Sequence, residues 1–236
     1  MPIFLFYLSS FPCERIFIYF CYEVITPLLM TIAEFKQLLN IPVEASQEAI
    51  QSRFAMLAEA LFRDFQIEKG GEVYDLLEIE FYFWNAVHQD EITYRRQCPA
   101  GMWYFHPSGV DISFASDSNR YGGILLRSVV RVAPKPEIIA GPLRLVDHLF
   151  DYWDMTGNDT SFQPRLVLKS QPDASCLIET APRKIPDPKQ SQFFAASYCF
   201  YVHLRHNCDQ DWKNVNSLGR SQYYKDKPWS RKNETI

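Results

Sequence analysis

The stretch from Leu76 to Phe83 constrains the fold of this 236-residue chain more than any other segment. It reads Leu-Leu-Glu-Ile-Glu-Phe-Tyr-Phe, and side chains on a β-strand alternate between the two faces of the sheet. One face then carries only apolar side chains and the other carries two carboxylates and a phenol: Leu77, Ile79, Phe81 and Phe83 on the first, Glu78, Glu80 and Tyr82 on the second. The pattern predicts a strand that packs on a core. Its polar face is either simply solvated or part of a functional site.

The composition predicts a packed globular protein, because 47% of the residues are hydrophobic and 15% are aromatic. The net charge of −4 is divided unevenly along the chain. Residues 1–182 carry 14 Lys and Arg against 23 Asp and Glu, whereas residues 183–236 carry 10 against 5. Only the C-terminal quarter is therefore a basic candidate surface for a polyanion such as DNA.

The six cysteines are scattered and form no CxxC pair, which favours free thiols in a reducing cytoplasm. Apolar runs in residues 1–29 are broken by Glu14, Arg15 and Glu23, so we expect neither a membrane span nor a signal peptide there. Thr31-Ile-Ala-Glu34 is a capping-box signature directly after Met30. We therefore expect residues 1–29 to be an over-extended start or a dispensable segment.

The order of predicted elements indicates an α+β fold in a single domain, residues 30–206, with an antiparallel or mixed sheet, short N-terminal helices and few other helices. Helices are predicted at 31–39, 46–65 and 141–151. Strands are predicted at 73–83, 103–105, 110–114, 123–132, 166–168, 176–179 and 195–204. Residues 182–192 read as a linking loop, and residues 207–236 as a basic tail.

Two clusters outside the first strand carry possible chemistry. Cys199, His203, His206 and Cys208 are potential metal ligands, but strand spacing separates Cys199 from His203 by about 13 Å, so we expect no zinc site. His106 and Asp111 flank a turn between two strands; the pair either orients a general base or locks a hairpin. A metal-dependent hydrolase that uses either cluster stays open as an alternative.

Arg127 lies inside the nearly continuous apolar run from Gly123 to Val132. Arginine is rarely buried without a partner. It therefore either forms a structural ion pair with a carboxylate or lies at the mouth of a site.

Five motifs follow one another in an order that resembles the 3-methyladenine (alkyladenine) DNA glycosylases over about residues 73–205. The family has an E-A-Y strand, an L-L-R strand, a G-P-x-K/R-L helix start, a P-R-I-G-I segment and an R-F-Y-V strand. Their counterparts here are Glu80-x-Tyr82, Leu125-Leu126-Arg127, Gly141-Pro-x-Arg-Leu145, Pro164-Arg-Leu-Val-Leu168 and Phe200-Tyr-Val202.

The resemblance implies a monomeric enzyme that excises an altered purine from double-stranded DNA without metal or cofactor. Glu80 would activate the water that attacks C1′, Tyr82 would stack on the flipped base, and Arg127 would hold the water or the nearby backbone. A histidine follows the tyrosine in the family, so His88 is assigned to the base. Tyr104 is assigned as a substrate contact, and with Phe105 and Tyr121 it is a candidate for the side chain wedged into the duplex.

A second function stays open on the same fold. The chain has no convincing match to the family's Y-G-M-Y strand, which supplies the wedge. A non-catalytic domain that binds a nucleotide or a partner protein is therefore the alternative. On either function, Glu78 is expected to be a solvated neighbour of Glu80.

Overall fold

The computed structural model describes residues 30–133, 136–173, 176–185 and 192–202. The segment 1–29, the potential ligands His203, His206 and Cys208, and the basic tail 207–236 lie outside the described residues. The helices are α1 (Ile32–Leu38), α2 (Gln47–Arg63), α3 (Pro142–Leu149) and α4 (Gln192–Ala195). The strands are β1 (Phe65–Lys69), β2 (Glu72–Trp84), β3 (Trp103–His106), β4 (Gly109–Ser113), β5 (Tyr121–Ala133), β6 (Glu137–Ala140), β7 (Arg165–Leu168), β8 (Ile178–Ala181) and β9 (Cys199–Val202).

A nine-stranded antiparallel sheet forms the body of the domain, with the path β3-β4-β5-β2-β1-β7. Outside this path, β6 pairs with β5, and β9 pairs with both β2 and β8. The central strands β2 and β5 are the longest, at 13 residues each, and pair along nearly their whole length. The fold is therefore α+β in a single domain, as the element order predicts.

The core lies between α2 and the apolar face of β2. Phe54 of α2 stacks on Phe81 with ring centroids 4.5 Å apart, and Phe83 meets Phe114 edge to face at 5.7 Å. Ile79, Phe81 and Phe83 are fully buried, as their alternation in the sequence predicts.

Helix starts follow the predicted caps. Thr31 and Glu34 form the capping box of α1, and the Ser46 hydroxyl accepts a hydrogen bond from the Ala49 amide at the start of α2. Helix α2 ends at Arg63, before the predicted Phe65, because the chain changes from helical to alternating burial at β1.

Three elements go beyond the sequence prediction: strand β1, strand β6 and the short helix α4. Strand β1 exists because the turn at Gly70 and Gly71, which have φ of 57° and 80°, returns the chain to pair antiparallel with β2. Strand β6 forms because it pairs with β5. The local sequence of β6 does not encode this pairing, so the strand was not predicted. None of the described helices is long and apolar enough to cross a membrane.

We predict that Phe54→Ala lowers the free energy of unfolding by about 3–5 kcal/mol, because it opens a cavity between α2 and β2. Met56→Ala on the same helix is the matched control; Met56 is 44% exposed, and we expect a change within about 0.5 kcal/mol. Urea denaturation of both variants measures the difference. Equal losses for the two would contradict the packing of α2 on the sheet.

Candidate functional site

A cavity of about 1110 Å³ lies on the polar face of the central strands, and its walls come from six parts of the chain, with the hairpin of β3 and β4 counted as one. β2 contributes Tyr82, and β5 contributes Leu125 and Arg127. Strands β3 and β4, the first turn of α3, the loop 92–96 and the segment 184–185 complete the lining. The cavity is large enough for a nucleotide-sized ligand.

Glu80 lies directly behind this cavity and joins two of its lining residues. Its Oε2 accepts hydrogen bonds from the Tyr82 hydroxyl at 2.7 Å and from Arg127 Nη1 at 2.8 Å. Its Oε1 accepts from the backbone amide of Lys184 at 3.1 Å. The carboxylate has no exposed surface and is not itself part of the lining. The structure therefore brings the three predicted residues Glu80, Tyr82 and Arg127 together.

A local irregularity of the sheet aims Arg127 at the carboxylates. Glu78 pairs with Ser128 and Ile79 pairs with Leu126, so Arg127 is an extra residue in β5. Such a bulge can re-aim a side chain, and here two successive residues contact the same face of β2. The Arg127 guanidinium reaches Glu80, while the Ser128 hydroxyl donates to Glu78 Oε2 at 3.4 Å.

Arg127 is both an ion-pair partner and a cavity residue, so the two possibilities left open by the sequence coexist. Burial lowers the pKa of Arg127, but Glu80 and Glu78 raise it more, and the net shift is upward. Arg127 is therefore a permanent cation at physiological pH. Burial and the neighbouring Glu80 carboxylate raise the pKa of the Tyr82 phenol well above its usual value, so Tyr82 is a neutral hydrogen-bond donor.

Glu78 is not the solvated neighbour that the alternation predicts, because it is fully buried. Its Oε1 accepts a hydrogen bond from the Cys199 thiol at 3.1 Å, since β9 covers this part of β2. Ligand atoms of Glu78, Glu80 and Cys199 lie within 4.8 Å of one another, a spacing that could hold a metal ion. The Arg127 guanidinium already contacts both carboxylates, at 2.8 Å and 3.9 Å, and supplies one positive charge to this cluster.

His106, Asp111 and Arg96 form a second polar group on another wall of the cavity. Asp111 accepts from His106 Nε2 at 2.9 Å, and its other oxygen lies 2.7 Å from Arg96 Nη2. All three side chains are almost fully buried. Both predicted roles of the His106 and Asp111 pair, a hairpin lock and an oriented base, are compatible with this position.

A glycine makes room for this group. A Cβ atom on Gly123 would lie 2.8 Å from Asp111 Cβ and 2.9 Å from Arg96 Nη1. Gly123 pairs with Tyr82 across β5 and β2, so the absence of a side chain lets Asp111 and Arg96 pack close to the central strands.

Arg183 and Asp90 are site residues that the sequence prediction missed. Arg183 makes a two-pronged ion pair with Asp90, at 2.6 Å and 3.0 Å, with both side chains fully buried. Its guanidinium carbon lies 4.4 Å from the centre of the Tyr82 ring. The predicted linking loop at 182–192 thus contributes Arg183 and the Lys184 amide to the back of the site. The sequence signal that could have identified Arg183 is its position, as a basic residue directly after Pro182 in this loop.

The two remaining predicted contacts lie away from the cavity lining. His88 is fully buried in the aromatic core, where Nδ1 bonds to the Phe83 carbonyl and Nε2 to the Tyr198 hydroxyl, both at 2.8 Å. Tyr104 packs under Arg96, whose guanidinium carbon is 3.8 Å from the ring centre. The structure does not bring either side chain to the cavity surface.

One motif of the resemblance also lies elsewhere. The segment Pro164–Leu168 leads into β7 at the far edge of the sheet, where it pairs with β1. The chain has a second Pro-Arg pair at Pro182 and Arg183, and this pair reaches the site.

Comparison with known proteins leaves the family open. No family model matches the chain. The chain is similar to uncharacterized protein L759 of Acanthamoeba polyphaga mimivirus, with 30% identity over an alignment that covers 45% of this chain and 60% of the viral protein. The chain thus matches less than two thirds of that relative's length, and the relative's name states no activity.

We predict that His88 makes stability fall as the pH drops below about 6.5. Burial lowers the pKa of His88 more than the Phe83 carbonyl and Asp90 raise it, so the folded state binds a proton less readily than the unfolded chain. Stability linked to His88 is complete above the unfolded pKa and is lost on acidification, by up to about 1.4 kcal/mol per pH unit.

The measurement is urea denaturation of wild type and His88→Gln between pH 7.5 and 5. The difference between the two proteins cancels the shared contribution of the carboxylates. We expect the variant to lose less stability over this range. Identical pH slopes would show that folded His88 takes up a proton as readily as the unfolded chain does.

Proposed function

We propose that the protein excises an altered purine from double-stranded DNA, with Glu80 as the base that activates water. The observation that carries the proposal is the meeting of Tyr82 and Arg127 on one oxygen of Glu80, at 2.7 Å and 2.8 Å, at the back of a large cavity that both residues line. A general base needs to lie within hydrogen-bond reach of the water it deprotonates.

In the proposed reaction the damaged nucleotide leaves the duplex and its base enters the cavity. Flipping costs a few kcal/mol, least for a damaged pair, and stacking on an aromatic ring contributes about 1–3 kcal/mol per base. Tyr82 supplies the stacking surface. Water oxygen bonds to C1′ as the bond from C1′ to the purine nitrogen breaks; the electron pair leaves with the base, and a water proton passes to Glu80.

Water reaches Glu80 only when one of its donors moves, because the carboxylate has no exposed surface. Arg127 is one donor that the cavity reaches, since 13% of its side chain is exposed and it lines the cavity. A shift of the guanidinium would open Oε2 while its positive charge stays close enough to stabilise the carboxylate.

Positive charge around the mouth fits a polyanionic partner. Arg144 and Lys184 line the cavity together with Asp147, whereas the other two lining arginines, Arg96 and Arg127, are paired with Asp111 and Glu80. Arg144, in the first turn of α3, makes no hydrogen bond or ion pair with any other described residue and is available to a phosphate. We further propose that the protein acts as a cytoplasmic monomer in DNA repair.

The second candidate function is a non-catalytic domain that binds a nucleotide in the same cavity. The observation that favours it is the occlusion of Glu80, whose two oxygens already accept three hydrogen bonds. In that case the carboxylate only holds Tyr82 and Arg127 in place.

We predict that Glu80→Gln lowers the rate of abasic-site formation at least 100-fold on duplexes that contain hypoxanthine or an alkylated adenine, because the amide cannot take a proton from water. Gel assays of strand cleavage after alkali treatment measure the product. Glu68→Gln is the matched control: it makes the same charge change at a half-buried position of β1, and we expect full activity.

If the wild type forms no more abasic product than the Glu80→Gln variant, the enzyme proposal is wrong. Salt-dependent binding of the same duplexes without product would then favour the binding domain.

A further inference from the structure

We propose that Arg183, which lies under the Tyr82 ring, makes the cavity select an electrically neutral altered purine, such as hypoxanthine, over an alkylated purine that carries a positive charge. The inference rests on the proposed function and names the substrate class of the same site. Arg183 would act through Tyr82 and is therefore a specificity-determining residue that does not touch the base.

The Arg183 guanidinium lies over one face of the Tyr82 ring. Its carbon lies 4.4 Å from the ring centre, within the range of a cation–π contact. The Arg183 side chain has no exposed surface and is not part of the cavity lining, whereas Tyr82 lines the cavity. The opposite side of Tyr82 is therefore the side that a base can reach.

A cation on one face of a tyrosine changes what stacks well on the other face. The negative π-face of the ring attracts a cation, but two cations on opposite faces of one ring also repel each other. A base stacked at about 3.5–4 Å from Tyr82 would lie about 8 Å from the Arg183 guanidinium. A positively charged purine is repelled at that distance, while a neutral purine is not.

Two carboxylates close to the cavity that could compensate a cationic base are already paired. Asp111 is bound to His106 and Arg96, and Glu80 is bound to Arg127. Asp147 is exposed on α3 at the rim. A positively charged purine stacked on Tyr82 would thus meet, apart from Asp147 at the rim, carboxylates that already face a guanidinium.

Arg183 is fixed in this position by four hydrogen bonds. Two of them go to Asp90, and the other two go to the carbonyls of Phe81 and Phe193, each at 2.9 Å. Asp90 offsets part of the positive charge. We therefore expect discrimination of about tenfold, which corresponds to 1.4 kcal/mol.

The test compares identical duplexes that contain hypoxanthine or 7-methylguanine, and its readout is the ratio of kcat/KM for the first to that for the second. The double variant Arg183→Met with Asp90→Asn replaces both buried charges by neutral side chains of similar size. We expect the ratio to fall about tenfold. Asp90→Asn alone keeps the cation without its countercharge, so the ratio should rise.

Arg95→Met is the matched control. Arg95 also lies over a tyrosine ring, Tyr121 at 6.0 Å, but neither residue lines the cavity, so we expect an unchanged ratio. A purely structural role of Arg183 would lower both rates by a similar factor and leave the ratio as in wild type. Circular dichroism of each variant verifies that it is folded.

Binding measured in the Glu80→Gln background separates the two proposals. We expect tighter binding of the hypoxanthine duplex than of the 7-methylguanine duplex, and loss of this preference in the double variant. If the 7-methylguanine duplex binds more tightly, or if all the proteins with and without the Arg183 and Asp90 substitutions show the same binding ratio, the inference is wrong. The excision proposal then stays intact. Binding with the expected preference but no product from wild type would overturn only the excision proposal.

Discussion

The buried contact between Glu80 on β2 and Arg127 on β5 is the interaction on which the site depends. Two charges taken out of water are tolerated only when they are paired and hydrogen-bonded, and removal of one partner typically costs about 3–5 kcal/mol. Here the two longest strands supply one partner each, and the Tyr82 hydroxyl and the Lys184 amide satisfy the remaining carboxylate positions. The same pair thus fixes the polar face of the sheet and one wall of the cavity.

Charge pairing is repeated around this cavity. Asp111 pairs with Arg96 on one wall, and Asp90 pairs with Arg183 behind Tyr82. Each guanidinium is held by a carboxylate from another part of the sequence, so the fold sets where these charges lie around the cavity.

Local patterns predicted the elements that lie near them in the chain. The alternation from Ile79 to Phe83 predicted the buried face of β2, and Thr31 and Ser46 predicted the helix starts, because burial period and capping are local properties. Strand β6, the end of α2 at Arg63 and the burial of Glu78 were not predictable in this way. Each depends on which distant strand provides hydrogen-bond partners.

The sequence by itself determined the α+β class, the single domain and the shared face of Glu80 and Tyr82, because strand periodicity places residues two apart on one side. Only the tertiary structure decided which cations reach that face. A bulge aims Arg127, the segment after β8 brings Arg183 under Tyr82, and the hairpin of β3 and β4 carries His106 and Asp111 to the other wall. The physical reason is that the packing of the whole sheet sets the pairing register and the loop paths, whereas the alternation of apolar and polar residues is a property of each strand's own sequence.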